Sequence, residues 1–380
     1  MQLSLLTISF GKKEKTMDIY NDFRSSENIG ILADEVRRIY EKPVNIMEIC
    51  GGHTHVIMRF GINQIVPGGV VFLHGPGCPV CVMPKERIDQ AIIIAGEKDV
   101  ILVTLGDMMR VPGSVSSLMK ERAEGHDIRM VYSPLDSIRI ARENPSKKVV
   151  YCAIGFETTA PLTAAVIHQT VTGGIKNLLF HINHVLVPPA IHAIMSSEDV
   201  RTEAFIAPGH VSTITGIDIY QDIAKSYSVP LVVSGFEPVD ILLSVSMILR
   251  QVSEGRGDVE IQYKRAVNPE GNIKAQDLVS RYFTTRETFR WRGLGDIPRS
   301  GLRLKDDYSA VDAEVVYGEL LPDIRIDDHK FCLCGEILRG KARPTDCRVF
   351  GNACTPKNPI GACMVSSEGA CHAYYTYRQV

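Results

Sequence analysis

The sequence has no long apolar run and almost no net charge. No apolar stretch reaches the roughly 18 residues that a helix needs to cross a bilayer. The net charge of −2 gives no bulk field that would attract nucleic acid or an anionic membrane. The short apolar start precedes Lys12, Lys13 and Lys15, which is the reverse of the order in a signal peptide. Neither G-x-x-x-x-G-K-[ST] nor G-x-G-x-x-G occurs, so nucleotide binding has no motif support. These absences predict a cytoplasmic protein without a nucleic-acid or membrane partner.

The chain is long enough for two or three domains. Its 380 residues are 45% hydrophobic and 23% charged, which is typical of a globular protein too long for one core. Residues 1–16 are expected to be disordered or an upstream extension, because a more ordinary sequence begins at Met17. Apolar residues at helical spacing between 28 and 41 predict an amphipathic helix. We therefore expect residues 17–42 to form an N-terminal helix that packs on the C-terminal domain.

A strand–loop–helix pattern begins after Pro43 and is repeated along the chain. Continuous apolar strands alternating with helices indicate parallel sheets covered on both faces, and ligands of such folds lie beyond the carboxyl ends of the strands. The pattern restarts near residue 147, which predicts two α/β domains, 43–146 and 147–250, with a site in the cleft between them. From there the composition becomes irregular and predicts a third domain, 251–380. The predicted strands are Val44–Ile49, Gly69–Leu73, Val100–Leu105, Ile128–Tyr132, Lys148–Ile154, Leu178–Ile182, Ala204–Ala207 and Leu231–Ser234.

The most unusual segment, from Cys50 to His55, follows the first strand and contains a cysteine, two glycines, a threonine and two histidines. Gly51 and Gly52 have no Cβ, so the backbone there can approach a ligand closely or adopt positive φ. A thiolate and imidazoles around such a loop make a soft metal-binding pocket. The alternative is a buried cysteine followed by a tight turn. The chain has ten cysteines, and in a reducing compartment clustered cysteines favour metal or redox chemistry over structural disulfides.

Cys78 and Cys81 form a C-x-x-C motif just before a predicted helix whose first turn contains Pro84. The helix dipole and the nearby Lys85 would lower the pKa of a thiol there, as dithiol–disulfide exchange requires. Half of a zinc site is the competing interpretation, but the chain has no second C-x-x-C to complete it. The motif therefore favours a redox pair.

Four cysteines in the C-terminal region are separated by 12, 6 and 16 residues among many prolines and glycines. A loop-rich segment of this kind usually needs a covalent or metal link to hold it together. Four thiolates fit either tetrahedral zinc or an iron–sulfur cluster. Zinc sites favour paired short spacings, which are missing here, so the spacing favours a [4Fe–4S] cluster. The four cysteines are Cys334, Cys347, Cys354 and Cys371. Cys332, two residues before Cys334, could substitute as a ligand, but Cys332 and Cys363 are expected to be free or packing cysteines.

Other polar residues follow apolar strands. Glu157 and Glu237 are candidates for general acids or ligand-orienting groups, and a simple carboxylate at a helix N-terminus is the alternative. His184 and His210 are weaker candidates for a site. Cys152 lies within a strand and is expected in the core. From the residues alone, we predict a redox-coupled metal site with no named substrate.

Six short motifs in order resemble those of the HypD family of [NiFe]-hydrogenase maturation proteins. The resemblance runs from about residue 18 to the end of the chain. The motifs are Cys50-Gly-Gly-His-Thr-His55, Gly75-Pro-Gly-Cys-Pro-Val-Cys81, Gly155-Phe-Glu-Thr-Thr159, Pro208-Gly-His-Val-Ser212, Gly235-Phe-Glu237 and a tail with Cys334-Gly-Glu336 and Val365-Ser-Ser-Glu-Gly-Ala-Cys371.

The resemblance implies a fold, a function and partners. The fold would be two Rossmann-like α/β domains and a loop-rich α+β domain that holds a [4Fe–4S] cluster. The function would be a scaffold for assembly of the Fe(CN)2CO unit of the hydrogenase active site. HypC, a small protein with an N-terminal cysteine, would bind the chain, and HypE would deliver cyanide. Alone, the chain is expected to be a monomer.

The resemblance also implies roles for individual residues. Cys50 would be the thiolate that binds iron, and HypC would supply a second one. Cys78 and Cys81 would form a redox pair that relays electrons from the cluster on the four C-terminal cysteines, as in ferredoxin:thioredoxin reductase. The other predicted site residues are His53, His55 and Glu157 for catalysis or orientation of the iron, and Gly51, Gly52, Thr54, Thr158 and His210 for binding of the ligated iron.

Two other functions remain open. A cluster-dependent thiol–disulfide reductase would need Cys78 and Cys81 but not Cys50. A zinc-linked binding module would contain zinc and no labile sulfide. We expect a maturation scaffold with redox activity rather than a conventional turnover enzyme.

Overall fold

The structure is a computed structural model that describes residues 22–322 and 324–377. Two parallel β-sheets, which we call sheet A and sheet B, form its centre, and the cysteine-rich C-terminal region packs against them. The predicted extension at 1–16 lies outside the described residues. The strands are β1 (Val44–Glu48), β2 (Val70–His74), β3 (Val100–Leu105), β4 (Ile128–Val131), β5 (Lys148–Gly155), β6 (Leu178–His184), β7 (Ala204–Pro208), β8 (Leu231–Ser234), β9 (Val259–Ile261), β10 (Phe283–Thr285), β11 (Thr288–Trp291), β12 (Gly295–Pro298) and β13 (Leu302–Leu304).

Helices connect and cover the sheets. Shorter 3₁₀ turns occur at Gly106–Arg110, Asp306–Val311, Gly318–Leu320, Pro344–Asp346 and Ala362–Met364. The α-helices are α1 (Ser26–Ile39), α2 (Gly51–Arg59), α3 (Ile62–Ile65), α4 (Pro79–Val82), α5 (Lys85–Gly96), α6 (Leu118–Ala123), α7 (Asp136–Glu143), α8 (Ala160–Thr172), α9 (Val187–Met195), α10 (Gly209–Thr215), α11 (Asp218–Tyr227), α12 (Pro238–Glu254), α13 (Ile273–Tyr282), α14 (Ala313–Val316), α15 (Cys334–Leu338) and α16 (Ala370–Thr376).

Sheet A brings the predicted site segments to one edge. Its strands lie in the order β2-β1-β7-β8-β9, and every neighbouring pair is parallel. Glu48 at the end of β1 is paired with His74 at the end of β2 and with Ile206 near the end of β7. The loops that follow these three strands therefore meet, and they carry Cys50, Cys78 and His210.

Sheet B has four parallel strands in the order β4-β3-β5-β6. All seven residues of β6 and all but the first residue of β5 are buried. A parallel strand covered by helices on both faces has no polar face, which is why these strands are continuous apolar runs. The eight predicted strands and the parallel α/β class are confirmed.

Each sheet takes strands from both predicted halves, so the strands are not divided between 43–146 and 147–250. Sheet A contains β1 and β2 together with β7 to β9, whereas sheet B contains β3 to β6. The chain thus leaves sheet A after β2, builds sheet B and returns. Sheet A also extends past residue 250, because β9 pairs with β8. Long connections decide which sheet a strand joins, and local sequence patterns do not record that choice.

The N-terminal helix is present but packs elsewhere than predicted. Ser25 caps α1, and its side chain accepts a hydrogen bond from the Asn28 amide. The apolar face of α1, with Leu32 and Val36 buried, packs mainly against α12 beside sheet A. It therefore covers an α/β unit rather than the cysteine-rich region, because α12 offers a long apolar face.

The C-terminal region is loop-rich, as predicted. It contains two antiparallel strand pairs, β10 with β13 and β11 with β12, followed by short helices and turns. Its buried cysteines belong to the same core as Trp291 and as Cys78 and Cys81. Among the described residues, no helix is long and apolar enough to span a bilayer.

Candidate functional site

Cys50 lies at the carboxyl end of β1 as the N-cap residue of α2. Its side chain is buried, and the residue is only 3% exposed. His210 begins the segment after β7, the neighbouring strand of the sheet, and its Nδ1 lies 3.8 Å from Cys50 Sγ. Burial and the nearby carboxylates of Glu368 and Glu48 raise the pKa of the Cys50 thiol. The structure therefore joins a thiol and an imidazole that are 160 residues apart in the sequence.

Two more rings complete the pocket around this thiol. His53 stacks on Phe236 at 4.8 Å between ring centroids, and His210 contacts the same ring at 5.1 Å. Burial lowers the pKa of His53 to about 3 and that of His210 to about 4, so both imidazoles are neutral near pH 7. Neither ring nitrogen of His53 makes a hydrogen bond with the described residues. Neutral imidazoles with free lone pairs are potential ligands or hydrogen-bond partners for a bound ligand.

Gly51 and Gly52 allow close packing rather than positive φ. Both belong to α2, and a Cβ on Gly51 would lie 2.0 Å from the carbonyl oxygen of Glu368. A Cβ on Gly52 would lie 3.0 Å from the Phe236 ring and 3.5 Å from Cys50 Sγ. Gly52 thus lets the Phe236 ring pack beside the thiol, and Gly51 lets the tail of the chain approach α2.

Thr54, His55 and Thr158 are not gathered around the thiol. Thr54 Oγ1 donates to the buried Glu48 carboxylate, and His55 Nε2 lies 3.0 Å from Tyr377 OH on the far side of α2. Thr158 lies in the turn before α8, after sheet B rather than sheet A. These contacts indicate packing roles for Thr54 and His55.

Cys78 and Cys81 form a disulfide at α4. The preceding Gly77 lies directly on the Cys50 backbone, because a Cβ there would be 2.4 Å from Cys50 Cα. The Gly51 amide donates to the Gly77 carbonyl at 3.2 Å. The disulfide segment and the Cys50 segment are therefore in contact, as the redox interpretation requires. Lys85 donates to the Asp327 carbonyl at 2.8 Å, so its ammonium is engaged there.

The predicted cluster ligands are all buried, and several of their sulfurs are close together. Cys334 and Cys371 are in mutual contact, and Cys354 Sγ accepts a hydrogen bond from the Ile360 amide at 3.3 Å. Gly361 leaves room for these sulfurs, since a Cβ there would be 2.6 Å from Cys334 Sγ. The fourth, Cys347, lies within 3.5 Å of the Phe331 carbonyl.

This arrangement fits an iron–sulfur cluster. Within residues 22–322 and 324–377, no three His, Cys, Asp or Glu side chains converge on one metal-ion position. Cluster thiolates are stabilised by burial and by amide donors, and these sulfurs are buried and include one that accepts from an amide. Cys332 also joins the group, because a Cβ on Gly361 would be 2.5 Å from its sulfur. Its position two residues before Cys334 was the sequence signal for this.

The disulfide lies between the Cys50 segment and the cysteine-rich region. The four residues of α4 pack against the turn Ala362–Met364, which includes the buried Cys363. Contact with Cys334 and burial, and then the nearby Cys363, raise the pKa of the Cys371 thiol. One continuous core thus contains the disulfide, the candidate ligands and Cys363.

Glu157 lies in a separate cleft of about 760 Å³. Its Oε1 accepts from the Val187 amide at 2.8 Å, and its Oε2 has no hydrogen-bond partner among the described residues. Burial raises the pKa of Glu157 to about 7. The cleft has apolar walls that include Leu186, Pro189 and Pro298. Glu157 therefore makes no hydrogen bond with the Cys50 segment in the described part of the chain.

Three further candidates have structural roles. Glu237 caps α12 and pairs with Arg24, which agrees with the helix-terminus interpretation. His184 is bonded through Nε2 to Thr163 at 2.9 Å. Cys152 is fully buried in β5, as expected for a core residue.

Glu48 and His74 were missed by sequence reasoning. Glu48 is 1% exposed and accepts hydrogen bonds from the Cys50 amide at 3.2 Å and from Thr54. His74 Nδ1 lies 2.7 Å from Glu48 Oε1. The signal that could have identified them is a charged or polar residue at the end of an otherwise apolar strand.

Fold and site together define an α/β protein in which a buried thiol at the end of a parallel sheet, a disulfide and a cysteine-rich region share one core. The family described as "HypD: Hydrogenase formation hypA family" matches residues 27–378. The chain belongs to the HypD family.

Several HypD proteins are similar in sequence to this chain over nearly its whole length. The hydrogenase maturation factor HypD2 of Bradyrhizobium diazoefficiens is 48% identical over 370 residues, 95% of this chain and 97% of that relative. The HypD of Rhodobacter capsulatus is 49% identical over 351 residues, 92% of this chain and 93% of its own. That of Escherichia coli is 44% identical over 370 residues, with 96% and 99% coverage. The resemblance found in the sequence is confirmed, and it supports a role in hydrogenase maturation.

Proposed function

We propose that this chain is a scaffold and redox protein that assembles the Fe(CN)2CO group of [NiFe] hydrogenase. The observation that carries the proposal is that the buried Cys50 thiol lies beside His210 while the Cys50 backbone contacts Gly77, the residue before the Cys78–Cys81 disulfide. Iron that carries cyanide and carbonyl is electron-rich, and a soft thiolate suits it. The iron unit is the cargo of the reaction.

Cys50 holds the iron, and its neighbours shape the space for the other ligands. The thiol gives up its proton when the sulfur–iron bond forms. His53 and His210 remain neutral beside it, and they offer ring nitrogens to the cyanide ligands or orient the iron. HypC supplies a second thiolate from its N-terminal cysteine, and HypE delivers cyanide, as the family resemblance implies.

Cys78 and Cys81 store reducing equivalents next to this site. The disulfide takes up two electrons and two protons to become a dithiol, and it returns them when it closes. A [4Fe–4S] cluster on Cys334, Cys347, Cys354 and Cys371 supplies one-electron transfer when bound. The core that joins α4 to the cysteine-rich region supports this relay. We place this chemistry in the cytoplasm, with the chain monomeric when alone.

The test is an infrared spectrum of the protein purified without oxygen together with HypC. Wild type and Cys152→Ala, which removes a buried thiol away from the site, should both show bands of iron-bound cyanide and carbonyl. Cys50→Ala should lose them. Bands that persist without Cys50 would place the iron elsewhere.

A second candidate is a cluster-dependent thiol–disulfide reductase, because the disulfide directly contacts the cysteine-rich region. Infrared bands missing from every sample, together with intact labile sulfide and disulfide reduction that survives Cys50→Ala, would support it. Zinc without labile sulfide would instead support a zinc-linked binding module, and would contradict the cluster.

A further inference from the structure

A buried carboxylate holds the backbone of the Cys50 segment. Glu48 Oε2 accepts a hydrogen bond from the Cys50 amide at 3.2 Å, and Oε1 accepts from Thr54 in the first turn of α2. Glu48 is 1% exposed. Burying a carboxylate is costly, and apolar residues of similar volume would hold a helix against a sheet at least as well. The carboxylate does something that apolar packing cannot do, since it fixes one particular amide.

A histidine and a tyrosine extend this contact to the C-terminal helix. His74 Nδ1 lies 2.7 Å from Glu48 Oε1, and its Nε2 lies 3.0 Å from Tyr374 OH. The His74 and Tyr374 rings also meet edge to face at 5.2 Å. In the tautomer whose Nδ1–H donates to the carboxylate, His74 accepts from the tyrosine hydroxyl at Nε2. Every member then has a partner, as a buried polar network requires.

The two ends of this chain of hydrogen bonds lie at the two candidate metal sites. One end is the amide of Cys50. The other is α16, where Tyr374 follows Cys371 by three residues, or about one helical turn. We propose that Glu48, His74 and Tyr374 are positioning residues that hold the Cys50 segment in register with the helix that carries Cys371. This rests on the proposed function only for the identity of the groups being positioned.

The proposal makes opening of the Cys50 segment measurable. Because Cys50 is 3% exposed, a thiol reagent reaches it only when the segment opens, and its rate follows the population of the open form. Tyr374→Phe leaves His74 Nε2 buried without a donor, which favours opening. The loss of one such bond in a buried network corresponds to about a tenfold faster reaction at Cys50.

The chain offers a matched control. Tyr377 OH also bonds a histidine of the Cys50 side, His55 Nε2 at 3.0 Å, and it too connects α16 to α2. That pair has no bond to Glu48 and is partly exposed, so water replaces the lost hydroxyl in Tyr377→Phe. A change of less than about twofold at Cys50 is expected for this variant.

The experiment uses the full chain purified alone and without oxygen, with its labile sulfide retained and with no cargo iron on Cys50. Methyl methanethiosulfonate is added, and modification of Cys50 is followed by mass spectrometry of the peptide that contains it. Tyr374→Phe should be about tenfold faster than wild type and Tyr377→Phe close to wild type. Equal rates for the two variants would overturn the proposal.

His74→Asn gives a second measurement if Tyr374→Phe folds poorly. The asparagine amide can replace Nδ1–H towards Glu48 but cannot reach Tyr374. The rate of Cys50 modification in His74→Asn should therefore lie between the rates in wild type and in His74→Ala. An equal rate for the two His74 variants would also count against the proposal. None of these rates depends on iron-bound cyanide, so they can fail or succeed independently of the infrared test.

Discussion

Gly77→Ala should separate the disulfide segment from the Cys50 segment. The new Cβ would lie 2.4 Å from both Cys50 Cα and Cys50 N, and 2.6 Å from the Ile49 carbonyl carbon. All three are backbone atoms, so no side chain can rotate away. The segments must move apart by about 1 Å to reach ordinary contact distance. That movement also breaks the bond from the Gly51 amide to the Gly77 carbonyl, now 3.2 Å.

The expected loss of stability is about 2–4 kcal/mol, of which overpacking contributes about 1–3 and the broken hydrogen bond about 1. The assay is urea unfolding followed by fluorescence of Trp291, the one tryptophan of the chain, which is fully buried in the same core as Cys78 and Cys81. Gly68→Ala is the matched control, because a Cβ there meets nothing within 4 Å. It should change stability by less than about 1 kcal/mol.

A free energy of unfolding of Gly77→Ala within about 0.5 kcal/mol of the wild-type value would refute this prediction. Equal losses of stability in both glycine variants would also refute it, because the loss would then not depend on contact with Cys50. In either case the two segments would not be held together as the structure shows.

Three further predictions concern other buried groups. The pKa of Glu157 is raised by burial from 4.5 to about 7, so the stabilising contribution of Glu157 is full below pH 4.5 and is lost as the pH rises through 7. Urea unfolding at pH 4.5 and pH 8 should show that the stability of Glu157→Gln relative to wild type rises by about 3 kcal/mol between the two pH values. A constant difference would contradict this. Asp240 is fully buried and binds Arg265 through both carboxylate oxygens at 2.7 and 2.5 Å. Asp240→Asn should lower the free energy of unfolding by about 3 kcal/mol in the same assay. A loss below about 1 kcal/mol would show that solvent screens the ion pair. Cys152→Ala should cost about 1 kcal/mol through a small cavity and leave iron and labile sulfide unchanged; a loss of sulfide would give Cys152 a role at the cluster.

Local patterns predicted the strands and the site loops because each depends on neighbouring residues. The run Val149–Ile154 is apolar and β-branched and ends at Gly155, so it reads as a buried strand wherever it lies in the sheet. The sequence also shows that Cys50 and His210 each follow the carboxyl end of a strand, where parallel sheets bind their ligands. These features needed no knowledge of distant contacts.

Long-range choices could not be predicted in this way. The return of the chain from sheet B to sheet A after β6 depends on which crossover packs best, and this moved β7 to the side of β1. Local sequence also does not predict which way a side chain on a short helix faces. His53 and His55 are two residues apart, but one faces Phe236 and the other faces Tyr377, because α2 turns by about 200° between them. Glu157 similarly follows a strand of the other sheet and therefore opens to another cleft.

Burial of Cys50 has a consequence for how the proposed site would be loaded. Burial and the nearby carboxylates of Glu368 and Glu48 raise the pKa of the thiol, which favours the protonated S–H form over the thiolate. In the proposed function, an arriving iron(II) ion would supply the positive charge that makes the thiolate stable, and the proton would leave as the bond forms. Iron affinity should therefore rise with pH, while the neutral His53 and His210 add no opposing charge. Burial thus protects the Cys50 thiol from oxidation, and it also means that the thiol would lose its proton only when iron binds.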